Sequence, residues 1–124
     1  MKNALLGNLE VSAIGLGAMT MAGTYTSEGA LDNAESIRTI HRALDLGVTH
    51  IDTAEIYGPF LSEEIVGQAV KGRRVQVKIA TKFGLVSHFN GGSGVTDSSA
   101  ANVKAAVEGS LRRLGADYID LAAA

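Results

Sequence analysis

Three stretches of the chain place apolar residues at the three- and four-residue spacing of an amphipathic helix. They cover about residues 32–47, 62–72 and 99–115. Each begins at a side chain that can cap a helix (Asp32, Ser62 or Ser99) and ends at a glycine, which suits a C-terminal stop. Short β-type runs around these helices predict four strands, at residues 14–17, 48–52, 75–82 and 118–121.

The order of these elements predicts a parallel sheet. Residues 1–13 form a predicted hairpin cap that turns at Gly7 and Asn8. Residues 14–121 follow as β-α-β-α-β-α-β, and strands that alternate with helices pair in parallel through right-handed crossovers. Residues 122–124 are alanines, an atypical tail after the last predicted strand. The predicted fold class is therefore α/β.

The loops that follow the strands are longer than the turns that follow the helices. They span residues 21–30, 53–61 and 84–98. In parallel α/β proteins, functional residues lie on the loops beyond the carboxyl ends of the strands. The third loop is rich in glycine at residues 90–94, which predicts a mobile segment that can act as a lid.

The composition argues against several kinds of binding partner. The net charge is -2, from 11 basic and 13 acidic residues, which gives no basic field for binding a nucleic acid. There are no cysteines, so disulfides and thiolate metal sites are excluded. No histidines and carboxylates have metal-ligand spacing. No apolar run approaches the ~20 residues that span a bilayer, and no signal peptide is visible. We therefore expect a cytoplasmic protein without membrane contact.

Three chemically useful side chains fall on the face of the long loops. Asp52 ends the second predicted strand, Lys82 ends the third, and Tyr57 follows Asp52 by five residues. If both strand ends point inward, Asp52 and Lys82 can form an ion pair. A cation beside a phenol favours its ionised form, so Tyr57 could give a proton to a developing alkoxide. The alternative is an ordinary ion pair, with Tyr57 packed on the second helix.

The three histidines give weaker signals. His41 lies beside the apolar stripe of the first helix, so we expect it at the edge of the core. His50 shares the strand face of Asp52 but lies two residues before it, and packing is its expected role. His88 falls in the third loop and is expected to be solvated; a catalytic role for it is the less favoured alternative.

Four segments resemble the aldo/keto reductase family, in the family's order along the chain. The segment HIDTAEIYG at 50–58 resembles the signature around the family's catalytic aspartate and tyrosine. The segment IATKFG at 79–84 resembles its lysine strand, and IGLGAM at 14–19 resembles its first strand. Residues 108–121 resemble its third helix and fourth strand. The likeness covers nearly the whole chain and is strongest to the bacterial branch related to potassium-channel β subunits.

The resemblance implies a fold and an activity. The fold is the N-terminal half of a (β/α)8 TIM barrel, and the activity is reduction of an aldehyde or ketone by NADPH. Tyr57 is then the general acid, Lys82 promotes its ionisation, and Asp52 pairs with the lysine. Gly17 and Met19 are expected beside the nicotinamide, together with Asp52.

Two departures from the family leave alternatives open. By the register of the fourth strand, the family's catalytic histidine would fall at position 125, beyond the 124 residues here. The family's residues that bind the cofactor phosphates lie in the second half of the barrel, which these 124 residues do not include. Full activity of this chain alone is therefore doubtful. The alternatives are a cofactor-binding regulatory subunit and an inactive half-barrel. A true half-barrel is expected to self-associate, because its sheet has open edges and an uncovered inner face.

Overall fold

The chain alternates strands with helices after an N-terminal hairpin, and a computed structural model describes it over residues 1–23 and 31–124. The hairpin pairs β1 (Asn3–Leu6) with β2 (Leu9–Ser12) in antiparallel fashion. The following strands are β3 (Leu16–Gly17), β4 (His50–Asp52), β5 (Lys78–Lys82), β6 (Val86–Ser87), β7 (Gly92–Ser93) and β8 (Leu121–Ala123). The helices are α1 (Asn33–Asp45), α2 (Leu61–Val70) and α3 (Ala100–Leu114).

The main sheet has the order β3-β4-β5-β8, and every neighbouring pair in it is parallel. Spatial order thus follows chain order, as it does around a barrel wall. The predicted α/β fold is confirmed: this is the N-terminal half of a (β/α)8 barrel, with a hairpin, four parallel strands and three helices.

The hydrophobic core lies between the helices and one face of the sheet. Ile51 and Ile79 point into it from the two central strands, and both are fully buried. The helices contribute most of the other buried side chains: Ile40, Leu44, Ile65, Val66, Ala69, Val70 and Leu114. Because side chains alternate along a strand, the residues beside Ile51 and Ile79 point to the opposite, inner face.

Two of the predicted helix starts are confirmed, and one is wrong. The Asp32 side chain accepts a hydrogen bond from the Glu35 amide at 3.0 Å, and Ser99 caps α3 in the same way. Helix α2, however, starts after Phe60, which has a left-handed backbone (φ 71°) and makes no side-chain cap. The predicted cap, Ser62, is instead buried inside the first turn, where its hydroxyl bonds the Thr53 hydroxyl at 2.7 Å.

The fourth strand of the sheet lies further along the chain than predicted. It is β8, Leu121–Ala123, so the predicted alanine tail is largely a strand. The preceding Asp120 pairs through its side chain: its carboxylate accepts the Ile79 amide at 2.9 Å and the Arg74 guanidinium at 2.7 Å. Arg74 also stacks on the Tyr118 ring at 3.9 Å. The Asp120 amide also donates to the Ile79 carbonyl at 3.2 Å, so Asp120 contacts β5 through both backbone and side chain just before β8 begins.

The loop over residues 84–98 is more regular than its glycine content predicts. Strands β6 and β7 form a short antiparallel hairpin, in which Val86 and Ser87 are buried. Asn102 of α3 is also fully buried, and its amide donates to the carbonyls of Val86 and Asp97, both at 2.9 Å. The loop therefore contains regular structure, while its mobility and its use as a lid stay predictions. Part of the first long loop, residues 24–30, lies outside the described residues.

The inner face of the sheet is more polar than the sequence suggests. It carries His50, Asp52, Lys78 and Lys82, and Leu121 is the only large exposed hydrophobic residue in the four described strands. An apolar inner patch is therefore not the feature that would drive self-association. Strands β3 and β8 each have one open edge, so self-association stays a prediction that rests on those edges.

Within residues 1–23 and 31–124, no helix has the length and apolar character needed to cross a membrane. No group of three or more potential metal ligands is found in the same residues.

Helices α2 and α3 approach each other closely at Gly67. A Cβ atom added there would lie 2.5 Å from the Arg113 carbonyl oxygen and 2.9 Å from the Leu114 Cα. We expect Gly67→Ala to lower the free energy of unfolding by about 1–3 kcal/mol, because overpacking outweighs the gain in helix propensity. Urea unfolding measures this. Gln68→Ala, at the adjacent exposed position, is the control and should change stability by less than about 0.5 kcal/mol. A Gly67→Ala variant as stable as the control would contradict the close approach.

Candidate active site

Lys82 is the centre of a cluster at the carboxyl ends of the central strands. Its Nζ donates to Asp52 Oδ1 at 2.5 Å and to the Tyr57 hydroxyl at 3.1 Å. A third hydrogen bond runs from Nζ to the Thr53 carbonyl at 3.0 Å. The structure thus brings together the three predicted catalytic residues, whose roles remain a prediction.

Strand register explains why these side chains meet. Asp52 is the last residue of β4 and Lys82 the last of β5, and Asp52 pairs with Ala80 across the two strands. Because side chains alternate along each strand, Asp52, Ala80 and Lys82 all lie on the inner face. Tyr57 reaches this face from a turn in which its amide bonds the Ala54 carbonyl at 3.2 Å. The site is therefore built by two strand ends and one tight turn.

The charge of Lys82 is stabilised by its neighbours. Burial favours the neutral amine, but the hydrogen bonds and charges of Asp52 and Tyr57 outweigh it, and the net effect raises the pKa of Lys82 above its usual value. Both members of the ion pair keep about a third or more of their side chain exposed. Lys82 is therefore a cation at neutral pH, and it faces the Tyr57 oxygen.

Gly17 and Met19, the residues expected beside a nicotinamide, lie at and just after the carboxyl end of β3, next to the strand end that carries Asp52. Gly17 pairs with Asp52 in the sheet, and the next amide, of Ala18, donates to the Asp52 carbonyl at 2.9 Å. Met19 follows at the start of a 3-10 turn, Met19–Ala22. A Cβ atom added to Gly17 would meet no described atom within 4 Å, so the described residues leave space in front of this strand end.

A cavity of about 120 Å³ opens beside the tyrosine. Its walls mix the proposed catalytic groups with apolar side chains, and it is lined by Glu55, Ile56, Tyr57, Lys82, Phe83, Leu85 and Ala124. The apolar walls would exclude water from a small group held against Tyr57. The cavity is thus a candidate position for a substrate carbonyl.

Behind the cavity lies a buried ionic cluster that sequence reasoning missed. Glu63 of α2 is fully buried and accepts hydrogen bonds from the Thr81 hydroxyl at 2.6 Å and the Ser110 hydroxyl at 2.7 Å. The Arg113 Nε of α3 donates to its other oxygen at 2.5 Å. Helical spacing could have indicated the buried face, since Glu63 lies three residues before Val66 and seven before Val70, both buried.

His88 belongs to the same cluster, so the expectation that it is solvated is wrong. Its Nε2 lies 2.8 Å from Glu55 Oε2, and Glu55 is 1% exposed. Arg113 approaches the same carboxylate oxygen at 3.6 Å. The other histidines agree better with the sequence: His41 Nε2 bonds the Ala69 carbonyl at 2.8 Å at the core edge, and His50 packs against Gly15.

Comparison with known proteins defines the class to which this barrel half belongs. The profile of the aldo/keto reductase family matches residues 13–123. Aldo-keto reductase YhdN of Bacillus subtilis (strain 168) is 46% identical over 115 residues, which are 91% of this chain and 34% of that protein. The chain belongs to the aldo/keto reductase family, a family of oxidoreductases.

Solved structures support the same assignment. Aldo-keto reductase AKR11C1 from Bacillus halodurans, in its holo form, matches with a TM-score of 0.85 and 39% identity, over 98% of this chain and 39% of that one. An aldo-keto reductase from Klebsiella pneumoniae in complex with NADPH matches with a TM-score of 0.70 and 35% identity, over 91% of this chain and 34% of that one. The chain thus spans about a third of the length of the curated relative and of these structures.

Proposed function

We propose that the protein reduces an aldehyde or ketone to an alcohol with NADPH, and that Tyr57 is the general acid. The observation that carries the proposal is the Tyr57 hydroxyl, 3.1 Å from the Lys82 ammonium at the edge of a small cavity. A carbonyl oxygen that gains negative charge needs a proton donor held at hydrogen-bond distance. The complex of the Klebsiella pneumoniae relative with NADPH supports the choice of cofactor.

Each residue has a distinct part in this proposal. NADPH, when bound, supplies the hydride that adds to the carbonyl carbon. Tyr57 donates its phenolic proton to the carbonyl oxygen, so the product is the neutral alcohol. Lys82 stabilises the phenolate left behind, since a cation beside a phenol favours its ionised form. Asp52 keeps Lys82 in place through the 2.5 Å hydrogen bond.

Gly17 and Met19 would hold the nicotinamide end of the cofactor. The open space in front of Gly17 gives the ring access to the strand end that carries Asp52. Asp52 would thus have two neighbours, the ring and the Lys82 ammonium. The apolar cavity walls would keep water away from the reacting carbon.

Replacement of Tyr57 tests the proposal. Tyr57→Phe removes only the hydroxyl, so fold and NADPH binding should survive, while the rate of carbonyl reduction falls at least ~100-fold. The measurement is NADPH oxidation with a panel of short aldehydes and ketones, with the alcohol product quantified. Tyr118→Phe is the matched control, because Tyr118 is exposed and stacks on Arg74 away from the site.

The outcomes separate the proposed enzyme from a regulatory subunit. Equal turnover by Tyr57→Phe and Tyr118→Phe would rule out Tyr57 as the acid. A wild-type protein that binds NADPH tightly, yet reduces no carbonyl in the panel, would instead favour the cofactor-sensing alternative.

A further inference from the structure

The turn that carries Tyr57 is anchored on both sides by the same two residues. Before the tyrosine, the buried Glu55 carboxylate contacts His88 Nε2 at 2.8 Å and Arg113 at 3.6 Å. After it, the Phe60 ring stacks near the His88 ring at 6.3 Å between centroids and lies 4.4 Å from the Arg113 guanidinium carbon. His88 and Arg113 therefore fix both ends of the turn.

The backbone of the turn links the same anchors to the site. The Glu55 amide donates to the Lys82 carbonyl at 3.4 Å, and the Glu55 carbonyl accepts the Phe60 amide at 2.7 Å. Phe60 holds a left-handed backbone (φ 71°), which costs a non-glycine residue free energy unless its surroundings enforce it. The bond of the Phe60 amide to Glu55 and the two ring contacts are the interactions that surround this residue.

His88 is itself held by defined contacts, although it comes from a long loop. Its amide donates to the Asn102 side-chain oxygen at 2.8 Å, and the buried Asn102 belongs to α3. The neighbouring Ser87 hydroxyl donates to Asp97 at 2.8 Å, and this bond and those from Ser99 lower the pKa of the Asp97 carboxyl, with Ser99 the main cause. His88 thus connects α3 to the turn through defined contacts at both ends.

We propose that His88 is a positioning residue: through Glu55 and Phe60 it holds the Tyr57 hydroxyl at its place beside Lys82. This deepens the proposed function and rests on it for its kinetic consequence. Among the described residues, Glu55 Oε1 has no hydrogen-bond partner, so the His88 bond to Oε2 is its closest contact with a donor. Loss of that bond leaves the Glu55 carboxylate, two residues before the tyrosine, with only the longer 3.6 Å contact to Arg113 among these partners.

Kinetic measurements on His88 variants test the proposal. A displacement of about 1 Å at a reacting group can cost about 100-fold in rate. We therefore expect His88→Ala to lower kcat about 10- to 100-fold while the KM for NADPH stays within about twofold, since the described contacts of His88 do not involve Gly17 or Met19. His88→Gln keeps a donor near the Nε2 position and should recover most of the rate.

His41 provides the matched control. It is also a half-buried histidine whose Nε2 contacts a single oxygen, that of the Ala69 carbonyl, but it lies on α1 outside the cluster. His41→Ala should lower thermal stability without changing kcat in the folded protein. If His88→Ala behaves in the same way as His41→Ala, His88 has only a structural role and the proposal is wrong.

NMR signals of isotopically labelled tyrosine rings give a readout that does not depend on activity. The chain has three tyrosines, so the ring signals of labelled Tyr57 can be assigned by Tyr57→Phe. We expect His88→Ala to shift or broaden the Tyr57 signals and His88→Gln to restore them, with the Tyr118 signals unchanged. Unchanged Tyr57 signals in folded His88→Ala would overturn the positioning role. If Tyr57→Phe retained full turnover, the proposed function would fail, and these signals alone would decide whether His88 positions the turn.

Discussion

Replacing Arg113 with methionine is expected to lower the free energy of unfolding by about 3–5 kcal/mol, the cost typical of breaking a buried ion pair. Arg113 lies between two carboxylates, Glu63 at 2.5 Å and Glu55 at 3.6 Å, which are at most 1% exposed. Without the guanidinium, both carboxylates stay buried without a permanent cation. The cost of an uncompensated buried charge far exceeds the packing that methionine retains.

Chemical denaturation measures this effect, and the neighbouring Arg112 supplies the control. Arg112 is exposed on the same helix, so Arg112→Met should change stability by less than about 0.5 kcal/mol. Adding Glu63→Gln to Arg113→Met should recover part of the loss, because the double variant no longer buries the unpaired Glu63 charge. Equal stabilities of Arg113→Met and Arg112→Met would show that the cluster does not stabilise the fold.

Replacing Lys82 with methionine should abolish most activity with little change in stability. We expect kcat to fall by ~10³-fold or more, within the range of a lost acid-base system, because Tyr57 loses its cation and Asp52 its partner. The ion pair keeps 35% and 42% of its side chains exposed, so its loss should cost only about 0–1 kcal/mol. Steady-state kinetics and urea unfolding separate the two effects.

Lys78→Met is the matched control, since Lys78 lies on the same face of the same strand, 3.8 Å from Asp120. It should leave kcat within a few-fold of the wild type. Full activity of Lys82→Met would remove the lysine from the mechanism.

The raised pKa of Lys82 also limits the pH range over which its ion pair with Asp52 stabilises the fold. A lysine pKa raised by folding contributes stability below its ordinary value of about 10.4, and that contribution is lost as pH rises through the raised value.

The sequence predicts those features that depend on the order of strands and helices along the chain and on the residues at their ends. Asp52 and Lys82 each end a strand, and in a parallel sheet such ends meet at one edge, so their contact follows from their positions. Asp32 and Ser99 lie where a cap is required, and both cap their helices. The ion pair at the centre of the catalytic cluster is therefore a consequence of strand order, which the sequence pattern indicates by itself.

Contacts between distant residues could not be predicted in this way. Arg113 meets Glu63 across 50 residues, and His88 meets Glu55 across 33. The apolar periodicity of one helix does not indicate which charged residue a neighbouring helix places against it. The glycine-rich composition of its loop favours a solvated His88, but the pairing of β6 with β7 and the buried Asn102 order that loop. Tertiary contacts decide these positions, not local preference.

The contacts of Asp120 have a consequence for the strand that follows it. Its carboxylate accepts the Ile79 amide while its own amide donates to the Ile79 carbonyl at 3.2 Å, so side chain and backbone together align β8 on β5. A slip of one residue would turn the strand over and exchange the residues that face the catalytic rim for those that face the helices. The paired contacts of Asp120 with Ile79 thus favour the one register that keeps Leu121 and Ala123 on the inner face of the sheet.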